Sequence, residues 1–133
     1  MTPAALRRLA GLAEARRARD LARLDGLLTE DRRLQAGIAA LAAMPAQDHA
    51  GGIHLPPAQQ ALRFAWIEQR VRAATAQRAA LTARIAAARA EAVRSLGKHR
   101  ALENLLERGE KEVRQQALAR AEREAPPPVG RAG

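Results

Sequence analysis

The chain has 133 residues, of which 47% are hydrophobic and only 2% aromatic, and it contains no cysteine. This length fits one domain, and the lack of cysteine excludes a disulfide framework and a thiolate metal site. The formal charge of +9, with a sequence pI near 11.6, predicts attraction to anionic surfaces. The mixture of Ala, Arg, Leu and Glu is typical of long helices and coiled coils.

The sequence shows no membrane or secretion signal. The N-terminal residues Met1–Ala4 lack the charged flank and the apolar block of a secretory leader. Arginine interrupts every alanine-rich stretch before an apolar run becomes long enough to span a bilayer. We therefore expect a soluble, cytoplasmic protein without membrane insertion.

A first helix is predicted over residues 3–43. Thr2 can cap its N-terminus, and Pro3 suits the first helical position, where its missing N–H has no partner to lose. Apolar residues then recur with the three-four spacing of a coiled-coil seam. They are Leu6, Leu9, Ala13, Leu24, Leu27, Leu34, Ile38 and Leu41.

A connector is predicted over residues 44–56, where the periodic pattern stops. Pro45, Gly51, Gly52 and Pro56 are the strongest helix breakers of this stretch. A connector of this composition allows the chain to reverse its direction.

A second helix is predicted over residues 57–124 and would be about 100 Å long at 1.5 Å per residue. Small seam residues in this helix favour a close approach of the two helices. The seam residues are Phe64, Ile67, Val71, Ala74, Arg78, Leu81, Ile85, Ala88 and Ala92.

These lengths predict an all-α fold, a two-helix antiparallel coiled-coil hairpin whose longer C-terminal helix overhangs the first. With the connector at 44–56, paired residues have numbers that sum to about 100, so that Pro3 lies opposite Gly97. Residues 98–124 would then be unpaired, and residues 125–133, with three consecutive prolines, would form a disordered tail. The alternative architecture is a parallel homodimer of long helices bent at the connector.

The overhang is the predicted site for a protein partner, because an isolated helix draws most of its stability from packing. Its apolar stripe would supply the contact area and its basic residues the charge. The predicted partner-binding residues are Leu102, Leu105, Leu106, Val113, Arg100, Arg108 and Arg114.

The sequence offers no catalytic, cofactor-binding or metal-binding pattern, so we expect a protein that is not an enzyme. His49, His54 and His99 are expected to be surface residues, since no cysteine accompanies them. Gly51-Gly52 is not followed by the Gly-Lys-Ser/Thr of a phosphate-binding loop. Ser95 is the single serine, and no motif places a base beside it.

The arginines of the second helix allow an alternative hypothesis, a basic nucleic-acid-associated protein. The arginines that could follow phosphates are Arg63, Arg70, Arg72, Arg78, Arg84 and Arg89. Such binding would depend strongly on salt, but nothing in the sequence supplies a platform for base stacking. Trp66 is expected to pack against the connector or to contact a partner. A generic coiled-coil scaffold is a third possibility.

The order of a shorter helix, a Pro/Gly connector and a longer Ala/Arg-rich helix resembles the flagellar/type III export stalk protein family (the FliJ/YscO type). The segment Arg94–Arg108, which reads RSLGKHRALENLLER, is the part that most resembles the family's C-terminal helix. The chain differs from the family in having more arginine and alanine and less glutamine. The resemblance implies a small bacterial coiled coil that acts in type III protein export. Its implied partners are a hexameric export ATPase and a membrane export gate, with a cytoplasmic location at the export apparatus.

Overall fold

The computed structural model describes residues 1–127, of which 91% are helical. Helix α1 spans Pro3–Ala50 and helix α2 spans Pro57–Glu124. The two helices pack against each other, and no strand occurs within residues 1–127. The predicted all-α fold class is therefore confirmed, and the arrangement is that of a helical hairpin.

The helices contribute to two compact units, and the first comprises Ala18–Val93 with the connector. Its core is a cluster formed by Leu27, Leu81, Ile85 and Ala88. Leu24, Leu28 and Leu34 are partly buried and pack against this cluster. Each fully buried aliphatic side chain stabilises the fold by about 1.5–3 kcal/mol, so a core this small leaves little reserve.

The predicted seam of α2 is confirmed between Ile67 and Ala92. Every predicted position in this range is buried or half-buried, at alternating intervals of three and four residues. Phe64, the predicted seam residue before this range, does not lie on the seam, because it is 46% exposed. The half-buried residue at that level is Arg63, which lies four residues before Ile67 and is drawn inward by Asp48 on α1.

The predicted end of the first helix at residue 43 is wrong, because α1 continues through Pro45 to Ala50. Proline inside a helix loses one backbone hydrogen bond and disfavours the structure by about 3 kcal/mol. Packing offsets this cost, since Met44, Pro45 and Asp48 are half-buried. Asp48 accepts two hydrogen bonds from the guanidinium of Arg63, one of them from Nη2 at 3.0 Å.

Helix α1 ends in a Schellman motif, which shortens the predicted connector of residues 44–56 to residues 51–56. The N–H of Ile53 donates to the carbonyl of Asp48 at 2.9 Å, and the N–H of Gly52 donates to the carbonyl of His49 at 3.1 Å. Gly52 has φ of +71°, the left-handed conformation that the motif requires at this position. The glycine therefore ends the helix where the proline does not.

We expect Gly52→Ala to lower the free energy of unfolding by about 1 kcal/mol, because alanine is strained at positive φ. The matched control is Gly97→Ala inside α2, where an added Cβ would meet no atom within 4 Å. That change should raise the free energy of unfolding by up to about 1 kcal/mol. Urea denaturation followed by circular dichroism measures both, and stabilisation by Gly52→Ala would contradict the assigned turn.

The pairing register differs from the predicted one because the connector is shorter and lies later in the chain. Within the Ala18–Val93 unit, Arg78 pairs with Asp31 and Arg63 pairs with Asp48. The residue numbers of these pairs sum to 109 and 111 rather than to about 100. Each residue of α1 therefore faces a residue of α2 that lies about ten positions later than predicted.

The second unit comprises Met1–Arg17 and the described residues from Arg94 onward. The hydroxyl of Thr2 accepts a hydrogen bond from the N–H of Ala5 at 3.1 Å, which confirms the predicted N-cap. His99 on α2 contacts Glu14 on α1, and the numbers of this pair sum to 113. Leu6 on α1 and Leu102 on α2 are both half-buried.

The predicted overhang of residues 98–124 is therefore too long, since its first part lies beside the start of α1. Residues 110–118 are all exposed, and the part of α2 without an α1 neighbour begins near residue 110. Residues 125–127 follow the helix without regular structure, and residues 128–133 of the predicted disordered tail lie outside the described residues. Within the described residues, neither helix is long and apolar enough to cross a bilayer.

Candidate protein-binding groove

A groove of about 970 Å³ lies between the start of α1 and the late part of α2. We call it the terminal groove. Its apolar lining residues come from both helices and are Met1, Pro3, Leu6, Leu102, Leu105, Leu106 and Val113. Its charged lining residues are Arg7, Arg108, Glu110, Glu112 and Arg114. Gly109 completes the lining.

The groove forms because α1 begins where α2 continues. Helix α1 begins at Pro3 and Thr2 caps its first turn, so the helical packing against α2 ends at this level. Leu102 and Leu106 are half-buried, whereas Leu105 is 48% and Val113 is 58% exposed. The seam of α2 thus continues past the start of α1, and its apolar side chains beyond that point are exposed.

Six of the seven predicted partner-binding residues line this one groove: Leu102, Leu105, Leu106, Val113, Arg108 and Arg114. Arg100 does not. At about 100° per residue, the mean direction of Leu102 and Leu106 lies about 140° around α2 from that of Arg100. Arg100 therefore lies on another face of α2, outside the groove, and its role in partner binding stays a prediction.

Sequence reasoning missed the contribution of α1 to the groove, which comes from Met1, Pro3, Leu6 and Arg7. The expected register placed Pro3 opposite Gly97, about 20 Å along the helix from residue 110. A register read from Gly52 as the end of α1 would have found these residues. Leu6 was predicted as a seam residue and keeps that role.

The charges of the groove are mixed, with three arginines and two glutamates. Within residues 1–127, none of these five side chains forms an ion pair with another residue. Glu110 and Arg114 have the four-residue spacing that favours a helical ion pair, but they do not form one. The rim of the groove can therefore pair with charges of either sign on a partner.

A histidine bridge joins the two helices one turn from the groove. Nε2 of His99 lies 2.7 Å from Oε2 of Glu14 and 3.2 Å from Oε1 of Glu103. Because a carboxylate only accepts, Nε2 carries the hydrogen that is shared between them. The side chain of His99 is 13% exposed, so the prediction that all three histidines are surface residues is wrong for this one. The heptad places it on the seam.

The connector histidines lie close together, with the ring centroids of His49 and His54 6.1 Å apart in an edge-to-face arrangement. The described residues contain no group of three or more His, Cys, Asp or Glu side chains that could hold a metal ion. The two rings pack beside the turn and do not form a recognisable ligand set.

Two of the arginines in the nucleic-acid hypothesis face α1. Arg63 and Arg78 are held by Asp48 and Asp31 in contacts between the helices. Arg72 pairs with Glu68 on its own helix at 3.0 Å. These carboxylates reduce the positive field that a phosphate backbone would meet. Of the six arginines, Arg70, Arg84 and Arg89 are exposed and have no ion-pair partner within residues 1–127.

The hydrogen bonds from Arg78 hold the pKa of the Asp31 carboxyl below its usual value of 3.8. The same contact raises the pKa of the Arg78 guanidinium. Nε of Arg78 donates to one carboxylate oxygen at 2.9 Å, and Nη2 donates to the other at 3.3 Å. This fork-shaped geometry is directional, so the pair helps to fix the register of the helices.

We expect the Asp31–Arg78 contact to make stability depend on pH. Because the folded-state pKa of Asp31 is lowered, its contribution is complete well above pH 3.8 and is lost as the pH falls below that value. Asp31→Asn should therefore be less stable than the wild type at pH 7, and the difference should shrink toward pH 3. Thermal melts across this range test it, with Asp25→Asn, at an exposed position, as the control. A difference that is independent of pH would contradict the assignment.

Comparisons of this chain with protein-family models, curated proteins and solved structures find no match.

Proposed function

We propose that the chain is a non-enzymatic coiled-coil interaction protein that binds an amphipathic helix of a protein partner in the terminal groove. The observation that carries this proposal is the convergence of six predicted partner residues on one open, apolar groove. The four apolar residues among them were predicted from an unpaired stripe and Arg108 and Arg114 from their charge, and the groove adds Met1, Pro3 and Leu6 from the start of the chain.

The shape and chemistry of the groove fit a helix better than an extended strand. Its two walls are helices, and a third helix can place residues at intervals of three and four against Leu105, Leu106 and Val113. The groove has no exposed sheet edge to which a strand could add. The unpaired charges of Arg7, Arg108, Arg114 and the two glutamates can then select a partner of complementary charge.

The specific partner that we propose is the hexameric ATPase of a type III export machine, with this chain as its stalk or as an export chaperone. Support comes from the resemblance of the Arg94–Arg108 segment and from the helix lengths, 48 and 68 residues. In this proposal the protein works in the bacterial cytoplasm beside the membrane export gate.

The test is capture of a purified export ATPase by the immobilised chain. The double variant Leu105→Asp, Val113→Asp should bind at least about tenfold more weakly, because it places two charges in a groove that must lose water. These exposed residues are better targets than Leu102 and Leu106, whose half-buried side chains lie beside α1.

The matched control is Leu118→Asp, which changes an exposed leucine of the same helix outside the groove. It should bind like the wild type, and circular dichroism should show all three proteins equally helical. Equal capture by the double variant would contradict the groove as the binding site. No capture by the wild-type chain would contradict the export ATPase as the partner.

A further inference from the structure

The connector end of the Ala18–Val93 unit carries a second concentration of exposed apolar side chains, which we call the apolar tip. It consists of Ile53, Leu55, Leu62, Phe64 and Trp66, each between 36% and 72% exposed. Both aromatic residues of the tip lie within this stretch of 14 residues, and Trp66 is the single tryptophan of the chain. Exposed aromatic and aliphatic side chains in such a concentration mark a binding surface.

The tip is apolar on both sides of the helix pair. At about 100° per residue, Phe64 and Trp66 lie roughly 160° apart around α2, with the seam residues Arg63 and Ile67 between them. Phe64 shares a small pocket with Ile53 and other connector residues. A single protein groove would cover one of these sides, whereas a lipid surface surrounds an inserted tip and covers both.

The charges of the tip favour an anionic surface. No carboxylate occurs between His49 and Ile67, and the two that flank this stretch, Asp48 and Glu68, pair with Arg63 and Arg72. The guanidinium carbon of Arg70 lies 5.0 Å from the ring centroid of Trp66. The net charge of +9 adds a general attraction to negative surfaces.

We propose that the apolar tip binds the surface of a membrane that contains anionic phospholipid, by shallow insertion of these five side chains. Trp66 lies at the level of the headgroups, where tryptophan is favoured because one edge of its ring is apolar and its N–H is polar. Arg70 then meets lipid phosphates. Insertion stays shallow because the backbone groups of residues 51–56 need water as hydrogen-bond partners. This surface is separate from the terminal groove and does not depend on its partner.

The fluorescence of Trp66 reports on the tip directly, since no other tryptophan contributes. The full chain is mixed with vesicles of phosphatidylcholine containing 30% phosphatidylglycerol, and with vesicles of phosphatidylcholine alone. We expect a blue shift of the emission and protection from acrylamide quenching with the anionic vesicles only. Added salt should weaken the binding, because it screens the charges.

The variant Ile53→Asp, Leu55→Asp should bind the anionic vesicles at least about tenfold more weakly than the wild type. The reason is that apolar burial is lost at two exposed connector positions. Leu118→Asp is the matched control and should bind like the wild type. An unshifted emission with anionic vesicles would overturn the proposal. This is the result expected if the tip binds a protein and not a lipid surface. Equal binding by the double variant would also overturn it, because charge alone would then explain the attraction.

Discussion

Leu81→Ala is expected to lower the free energy of unfolding by about 3 kcal/mol, the typical loss for a buried leucine that leaves a cavity. Leu81 is the most buried apolar residue of the core, at 3% exposed, and it lies in the cluster with Leu27 and Ile85. A two-helix fold has few neighbouring side chains that could move to fill the cavity. Thermal unfolding followed by circular dichroism should show a fall in Tm of about 10 °C.

The matched control for this prediction is Leu62→Ala, which removes the same atoms from a side chain that is 72% exposed. Its Tm should stay within about 2 °C of the wild type, because little apolar surface leaves water at this position. Equal effects of the two substitutions would mean that Leu81 is not part of a packed core, and would contradict the assigned seam.

Ala88→Asp is expected to be at least as destabilising, by about 3–4 kcal/mol, because it places a charge in the apolar cluster. Ala88 is 4% exposed and packs with Leu27, Leu81 and Ile85. The cluster is apolar throughout, so the new carboxylate would have no partner within it. Urea denaturation should show a large fall in the midpoint concentration.

Ala90→Asp provides the comparison, since residue 90 is exposed on the same helix two positions later. It carries the same loss of helix propensity, about 0.7 kcal/mol, without burial of the charge. A similar loss in both variants would show that propensity alone governs the effect. Ala88 would then not lie between the helices.

The helical seam could be predicted from the sequence because its signal is repeated many times. From Ile67 to Ala92 the intervals of three and four residues recur without interruption, and each predicted residue is buried or half-buried. Phe64 was misplaced because the alternation, continued backwards from Ile67, gives residue 64, whereas residue 63 is the half-buried one. The Arg63–Asp48 contact between the helices decides between them, and no property of α2 alone reveals it.

The position of the turn could not be predicted from the breakers alone. Pro45 is the first strong breaker, and the first helix was expected to end before it. Packing of Met44 and Asp48 carries the helix past the proline, and Gly52 ends it by adopting positive φ. When the centre of the turn moves by a few residues, the α2 residue that faces a given α1 residue moves by twice as many. The predicted overhang was too long for this reason.

The candidate site was predicted in part. The stripe of Leu102, Leu106 and Val113 follows from helical spacing alone, and these residues line the groove. The participation of Met1 and Leu6 depends on the register between distant parts of the chain, which local patterns do not encode. Arg100 was selected for its charge, without regard to the face of the helix on which it lies.

The register of the helices within one chain is the central claim, and double electron–electron resonance between spin labels tests it most directly. The cysteine-free chain allows labels at Gln35→Cys with Thr75→Cys, and at Gln35→Cys with Ala65→Cys. All three positions are exposed. We predict the shorter distance for the 35–75 pair, because residue 65 lies about 15 Å away along α2. This distance should persist when labelled protein is diluted with unlabelled protein. A shorter 35–65 distance, or a 35–75 distance that disappears on dilution, would contradict the hairpin and the groove that it forms.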